Sequence, residues 1–298
     1  MIFLGDVAHP FKDPPNFKDL TNRAGSDHIV LNLEGPLTND LTLLKKKILF
    51  NHPSILDGFD NVDRVVAVLA NNHISDIENG IAETKATLSD CGIKTVGAGS
   101  SLAEASEPIF IKEHDTTIII IAFGWHVIEC RSAAKTRAGV QPLNIDVVIG
   151  RIRELHKLYP LAKIIPVFHW NYEMEPHPQP AHRKLAHEAI DSGASAIIGR
   201  HPHCVGDIEI YKGAMIAYSI GNWWLPQSVF FDGKLKYAQN SLRQLAIQID
   251  FENQIIILHR YQYHAKIHKL EYIDSETISL QKGKKTFALL KVFQKVNI

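Results

Sequence analysis

The chain has 298 residues, room for one large domain or two small ones, with 45% hydrophobic and 21% charged residues, as in ordinary soluble globular proteins. Lys+Arg 32 balance Asp+Glu 32, so no basic excess marks nucleic acid or an anionic membrane as a partner. Three cysteines, Cys91, Cys130 and Cys204, are too few and too irregular for a disulfide scaffold or a thiolate zinc site, and Cys204 reads as a small buried residue.

In chain order, short apolar runs end repeatedly at residues able to bind a metal or move a proton. IFLG stops at Asp6, HIVLNLE closes on Glu34, and RVVAVLA leads into Asn71, Asn72 and His73. AKIIPVFH ends at His169, and AIIG precedes Arg200, His201, Pro202 and His203. The C-terminal ends of strands in α/β sheets are where site residues collect, and five such placements predict one composite site. In HPH, Pro202 stiffens the turn between two imidazoles, natural ligands for one metal or two adjacent ones.

GIAETKATLSDCG and AHRKLAHEAIDSG predict helices stopped by Gly92 and Gly193, and Asp76 reads as a cap or turn residue. IIIIAFGW after Thr117 reads as a buried strand, too short to cross a membrane. Pro166 conflicts with a central strand, so either that strand lies at an edge or it ends at Ile165. After about residue 206 the pattern becomes β-rich. GDIEIYKGAMIAYSIGN predicts a hairpin turning at Lys212-Gly213, and LRQLAIQIDFENQIIILHRYQYH one turning near Glu252-Asn253, together closing a second sheet. His177, His182 and His187 are expected on a solvated helix face or near it, and His9, three residues after Asp6, as a bystander. Of Trp125, Trp170, Trp223 and Trp224, at least half are expected in the core, the others lining a pocket. Asp6 comes too early for a secretory leader to precede it, and no stretch reaches transmembrane length, so a cytoplasmic protein is expected.

The ordered string GD, NLEGPLT, LANNHISD, VGAGSSLAEA, HW with Glu173 and Gln179 following, GRHPH, EIYKG and YSIGN resembles the CapA family of bacterial capsule and poly-γ-glutamate biosynthesis proteins. That family is similar in fold and metal site to calcineurin-like metallophosphoesterases. The resemblance runs from Ile2 to about Trp223, and one domain over 1–298 is expected, with motifs in 1–223 and a β-rich part at 206–298. It implies an α/β fold, a four-layer α/β/β/α sandwich of two mixed sheets, and two divalent metal ions. Asp6 and His203 would hold one ion, Asn72, His169 and His201 the other, with Glu34 bridging and His73 protonating the leaving alkoxide. This oxygen and nitrogen donor set suits manganese, iron or zinc. Arg200, Asn71 and Trp170 are the candidate substrate contacts, a structural role for Arg200 being the alternative.

Asn171 stands where the family usually has glycine, and Gly206 and Asp207 where a glutamine often follows HPH; both departures bear on substrate identity. The implied function is a metal-dependent phosphoesterase-like hydrolase in capsule or envelope polymer metabolism, acting on a phosphorylated or polymer-derived small molecule. The alternatives are a non-catalytic assembly accessory, which the lack of the family's frequent N-terminal anchor weakens, and a hydrolase of γ-glutamyl amide bonds.

Overall fold

The computed structural model describes residues 1–280, 288–290 and 292. Two mixed sheets pack face to face. In the first, Ile2–Val7, Ile29–Leu33, Val65–Val68 and Lys94–Val96 run parallel and in that order across the sheet. Arg243–Asp250 lies antiparallel on the other side of Ile2–Val7, followed by Ile255–His264 and Lys269–Ser279, and short Asn222–Trp224 also pairs with Ile2–Val7. In the second, Thr116–Gly124, Lys163–His169, Ala196–Arg200 and Ala214–Ala217 are parallel neighbours, flanked by antiparallel Ile109–Glu113 and Ile208–Tyr211.

Alternation along each central strand divides its side chains between two cores. Ile118, Ile120, Ile165, Val167, Ala196 and Ile198 face the first sheet and join its apolar residues. Their alternates Ile119, Ile121, Ile164, Phe168 and Ile197 pack under Ile145–Leu158 and Pro180–Asp191. The first of these helices starts at Asn144, whose side chain accepts from the amides of Asp146 and Val147, and the second starts with Pro180, whose missing N–H costs nothing there. Helices Lys18–Ala24 and Gly80–Asp90 bury Leu20, Ala24, Ile81 and Leu88 against the first sheet. The result is the α/β/β/α layering that the family resemblance implied.

Two local expectations change. Lys163–His169 is a central strand that runs through Pro166. On the side of Ala196–Arg200 a bridge joins Ile164 to Ala194 and the regular ladder begins at Val167, so the missing N–H falls in the gap between them. The second predicted hairpin forms, but it extends the first sheet beside Ile2–Val7; only the first, with Tyr211 opposite Ala214, enters the second sheet. Lys212 and Gly213 take φ of 51° and 82°, as a two-residue hairpin turn requires. Of the segment 206–298 expected to be β-rich, residues 281–287, 291 and 293–298 lie outside the described residues. Among the described residues no helix is long and apolar enough to cross a membrane.

Candidate metal centre

The parallel strands of both sheets end on one side of the sandwich, and the polar residues that follow them meet there. Asp6 is buried next to the end of Ile2–Val7. Gly5 just before it has no room for a side chain, because a Cβ would collide with the Gly221 carbonyl. That close approach sets Asn222 in register beside Asp6. One oxygen of Asp6 accepts from Asn32 at 2.7 Å and the other from the His201 amide at 3.3 Å. Asn32 also donates to Glu34 Oε2, while Glu34 Oε1 is buried with no partner. His169 closes the second sheet's side, with Nε2 2.8 Å from Asn72 Oδ1 and 3.6 Å from Glu34 Oε1. Asp6, Glu34 and His169 thereby bring ligand atoms to within 4.8 Å of one another.

His201 and His203 complete the cluster through an unusual backbone. Their φ values are 97° and 58°, in the left-handed half of the map that side chains disfavour, and the surrounding contacts must hold them there. The rings of His169 and His201 lie 4.9 Å apart, and those of His201 and His203 5.6 Å apart. His203 Nδ1 lies 2.8 Å from Asn222 Oδ1 and 3.4 Å from Asp6 Oδ2. Two acceptors there assign the proton to Nδ1 and leave a lone pair on Nε2. That Nε2, His169 Nδ1 and His201 Nδ1 are all buried without partners.

Electrostatics asks for a cation at this point. Burial raises the pKa of Asp6, and burial plus the neighbouring Asp6 charge raises that of Glu34 well above the ordinary range. Burial, then His201 for one ring and His203 for the other, holds His169 and His201 well below the usual imidazole value. Neutral imidazoles offer lone pairs, and two adjacent buried carboxylates need positive charge to ionise together. Arg200 supplies some of it, favouring the charged form of both acids. The unpartnered imidazole nitrogens and Glu34 oxygen are atoms a divalent ion would satisfy, so these residues fit a metal centre.

His73 stands at the rim, partly exposed, its Nδ1 held by Asp76 Oδ2 at 2.7 Å. Asp76 is the turn residue expected, its amide donating to the His73 carbonyl at 3.0 Å, and its carboxylate also orients this ring. His73 also contributes, after burial and the other rings, to lowering the pKa of His169 and His201, which places it beside the cluster.

The three expected substrate contacts are placed differently. Arg200 is fully buried between the sheets and donates Nη2 to the Val30 carbonyl at 3.1 Å. Asn71 is fully buried; its amide donates to the Leu33 and Asn32 oxygens, and its Oδ1 accepts from the amides of Gly35 and His73. Trp170 lies in the helix-side core, its indole N–H on the Tyr218 carbonyl. All three have no accessible surface, and each donates to a backbone carbonyl of the neighbouring strands or loops. His182 is also corrected: it is buried, stacked on Trp170 at 4.9 Å. His187 is held by Glu209 at 3.0 Å, and exposed His177 pairs with Asp207. Trp223 and Trp224 are core residues as well, leaving Trp125 half-buried against Tyr172. His9 spends both ring nitrogens on Asp13, Ser54 and Trp224, away from the cluster.

Three further residues belong to the site: Asn32, Asn222 and Tyr237, whose ring stacks on His203 at 4.5 Å. The first carried a signal, a lone amide inside an otherwise apolar buried strand.

A layered α/β/β/α protein whose strand ends converge on buried carboxylates and neutral imidazoles is, by construction, a candidate metalloprotein. The chain belongs to the bacterial capsule synthesis protein family PGA_cap, whose model matches residues 7–227. It is 32% identical over 208 residues to the PGA biosynthesis protein CapA of Bacillus subtilis, covering 68% of this chain and 54% of that protein. It is 24% identical over 235 residues to the capsule biosynthesis protein CapA of Bacillus anthracis, covering 70% and 56%. The chain thus spans about half the length of these curated relatives. Among solved structures, a 5'-nucleotidase precursor from Thermus thermophilus gives a TM-score of 0.48 at 13% identity, covering 94% of this chain and 54% of that one. The NAD nucleotidase of Haemophilus influenzae gives 0.45 at 10% identity, covering 97% and 59%.

Proposed function

We propose that this chain is a metal-dependent hydrolase of phosphate esters serving capsule or envelope polymer metabolism. The observation that carries the reading is the meeting of Asp6, Glu34 and His169 ligand atoms within 4.8 Å, with unpartnered buried atoms on Glu34, His201 and His203, beside a His73 ring oriented by Asp76. Asp6 and His203 would hold one divalent ion, Asn72, His169 and His201 a second, and Glu34 would lie between them. Manganese, iron or zinc in that site would supply Lewis acidity and an activated water.

The chain's own residues do the rest. Asn32 and the His201 amide fix the Asp6 carboxylate, and Asn222 fixes the tautomer of His203, as outer partners of ligands usually do. Arg200 offsets carboxylate charge from within the core. With Asp76 on Nδ1, His73 presents Nε2 to the rim and passes its proton to the leaving oxygen as the ester bond breaks.

The test is elemental analysis of protein reconstituted with each metal, then turnover on phosphomonoesters, phosphodiesters and γ-glutamyl peptides. Hydrolysis of a phosphate ester that stops on chelation supports the reading. Cleavage of γ-glutamyl peptides alone would reassign the reaction. A fully metallated protein that hydrolyses nothing would move the role to assembly by binding.

A further inference from the structure

A phosphoryl group entering this site needs hydrogen-bond donors, and the described cluster is poor in them. Asp6 and Glu34 are acceptors, the imidazole lone pairs are committed to metal in the reading above, and Arg200 is fully buried between the sheets with Nη2 on the Val30 carbonyl. The donor comes from residues 225–242, where no motif was recognised. That segment carries little regular structure, yet it is firmly seated. Leu225, Phe230 and Leu235 are buried with Ala8, Leu43, Leu49 and Phe50 in a separate apolar cluster, and the rings of Phe50 and Phe230 meet edge to face at 5.6 Å. Its backbone closes on itself, the Ser228 amide donating to the Leu235 carbonyl at 2.8 Å and the Tyr237 amide to Gln227 Oε1 at 2.7 Å.

This anchoring sets Tyr237 against the metal centre. Its ring stacks on His203 with 28° between the planes, and the residue is only partly buried. Among the described residues its hydroxyl has no hydrogen-bond partner. A phenol hydroxyl carries a proton it can donate.

We infer that Tyr237 is a substrate-binding residue of this centre, its hydroxyl donating a hydrogen bond to an anionic oxygen of the bound phosphate ester. The inference rests on the phosphoesterase reading and deepens it. The competing role for Tyr237 is to cover His203 by packing alone, and phenylalanine would do that equally well.

The test uses the full chain, metal-loaded, titrated with inorganic phosphate and with vanadate in a calorimeter. Wild type is expected to bind both. Tyr237→Phe is expected to keep its metal content and its thermal midpoint while binding each oxyanion about ten- to a hundredfold more weakly, the usual worth of a hydrogen bond to a charged group. Equal affinity in wild type and Tyr237→Phe would overturn the inference and leave the proposed function standing. Loss of metal from Tyr237→Phe would overturn it too, by making the phenol a metal ligand or a structural support. A metallated wild type that binds neither oxyanion would remove the phosphoesterase reading, and the inference with it.

Discussion

Glu34 and Glu209 are both almost fully buried, yet the fold treats them in opposite ways. Glu209 accepts from two nitrogens of Arg183 at 3.1 Å, from the Tyr218 hydroxyl at 2.8 Å and faces His187 Nε2 at 3.0 Å. Burial works against its charge, but those partners win and hold its pKa below the ordinary value. Glu34 has one donor, Asn32, one empty oxygen, and a second carboxylate for a neighbour, so its pKa rises. A carboxylate serving the fold is saturated by the fold. One left short of partners in a buried place is held for something that arrives from outside.

The largest expected effect probes what stands beside the unsaturated cluster. His73→Ala should keep the metals and lower turnover about a hundredfold to ten-thousandfold, the range for a positioned proton donor. Aryl esters with good leaving groups should lose less, and the ratio of kcat values on good and poor leaving groups is the measurement. Metal loss from His73→Ala would make the ring a ligand.

Next comes the pair of glutamates itself. Glu209→Gln leaves Arg183 without its carboxylate and should destabilise the protein by about 1–3 kcal/mol in urea unfolding at pH 7. Glu34→Gln, measured the same way in chelator, should cost little or even stabilise, because it removes one of two neighbouring buried acids. With metal present the order reverses for Glu34→Gln. Wild type should gain about 2.7 kcal/mol at a hundredfold excess of metal over Kd, and the variant less. Equal destabilisation of the chelated protein by both substitutions would break the contrast.

How much of this the chain disclosed depends on range. Asp6, Glu34, His169, His201 and His203 were readable because each follows an apolar run, and parallel strands bring such ends to one edge. Alternating strand and helix patterns gave an α/β domain with a β-rich C-terminal part, and the family resemblance supplied the four layers. The C-terminal hairpin went to the other sheet because hairpin pattern fixes local pairing, while its neighbour, Ile2–Val7, lies far away in sequence. Asp76 and Tyr237 were not readable as site residues for the same reason. Asp76 needs the turn after Asn72 to fold back on His73. Tyr237 sits in a segment without periodicity, placed by Leu225, Phe230 and Leu235 packing on a distant loop. Arg200, Asn71 and Trp170 adjoin the motifs in sequence, but alternation along the chain turns them inward.

His182 gives the smallest effect at neutral pH and extends the contrast to a buried titratable group outside the cluster. It lies in the apolar core between Trp170 and Trp125, and burial lowers its pKa to about 4 from 6.5. A depressed imidazole contributes stability that is present above pH 6.5 and lost as pH falls toward 4, because the unfolded chain takes up the proton first. At pH 5 that loss amounts to about 2 kcal/mol. His182→Phe removes the titrating group and keeps a ring to stack on Trp170. Its stability relative to wild type, followed by urea unfolding in chelator, should therefore improve steadily from pH 7 to pH 5. The imidazoles of the buried cluster are common to both proteins and cancel in the difference. A wild-type-minus-variant difference that stays flat across that range would show His182 titrating alike in the folded and unfolded chains, and its buried stack on Trp170 would then not exclude the charged form.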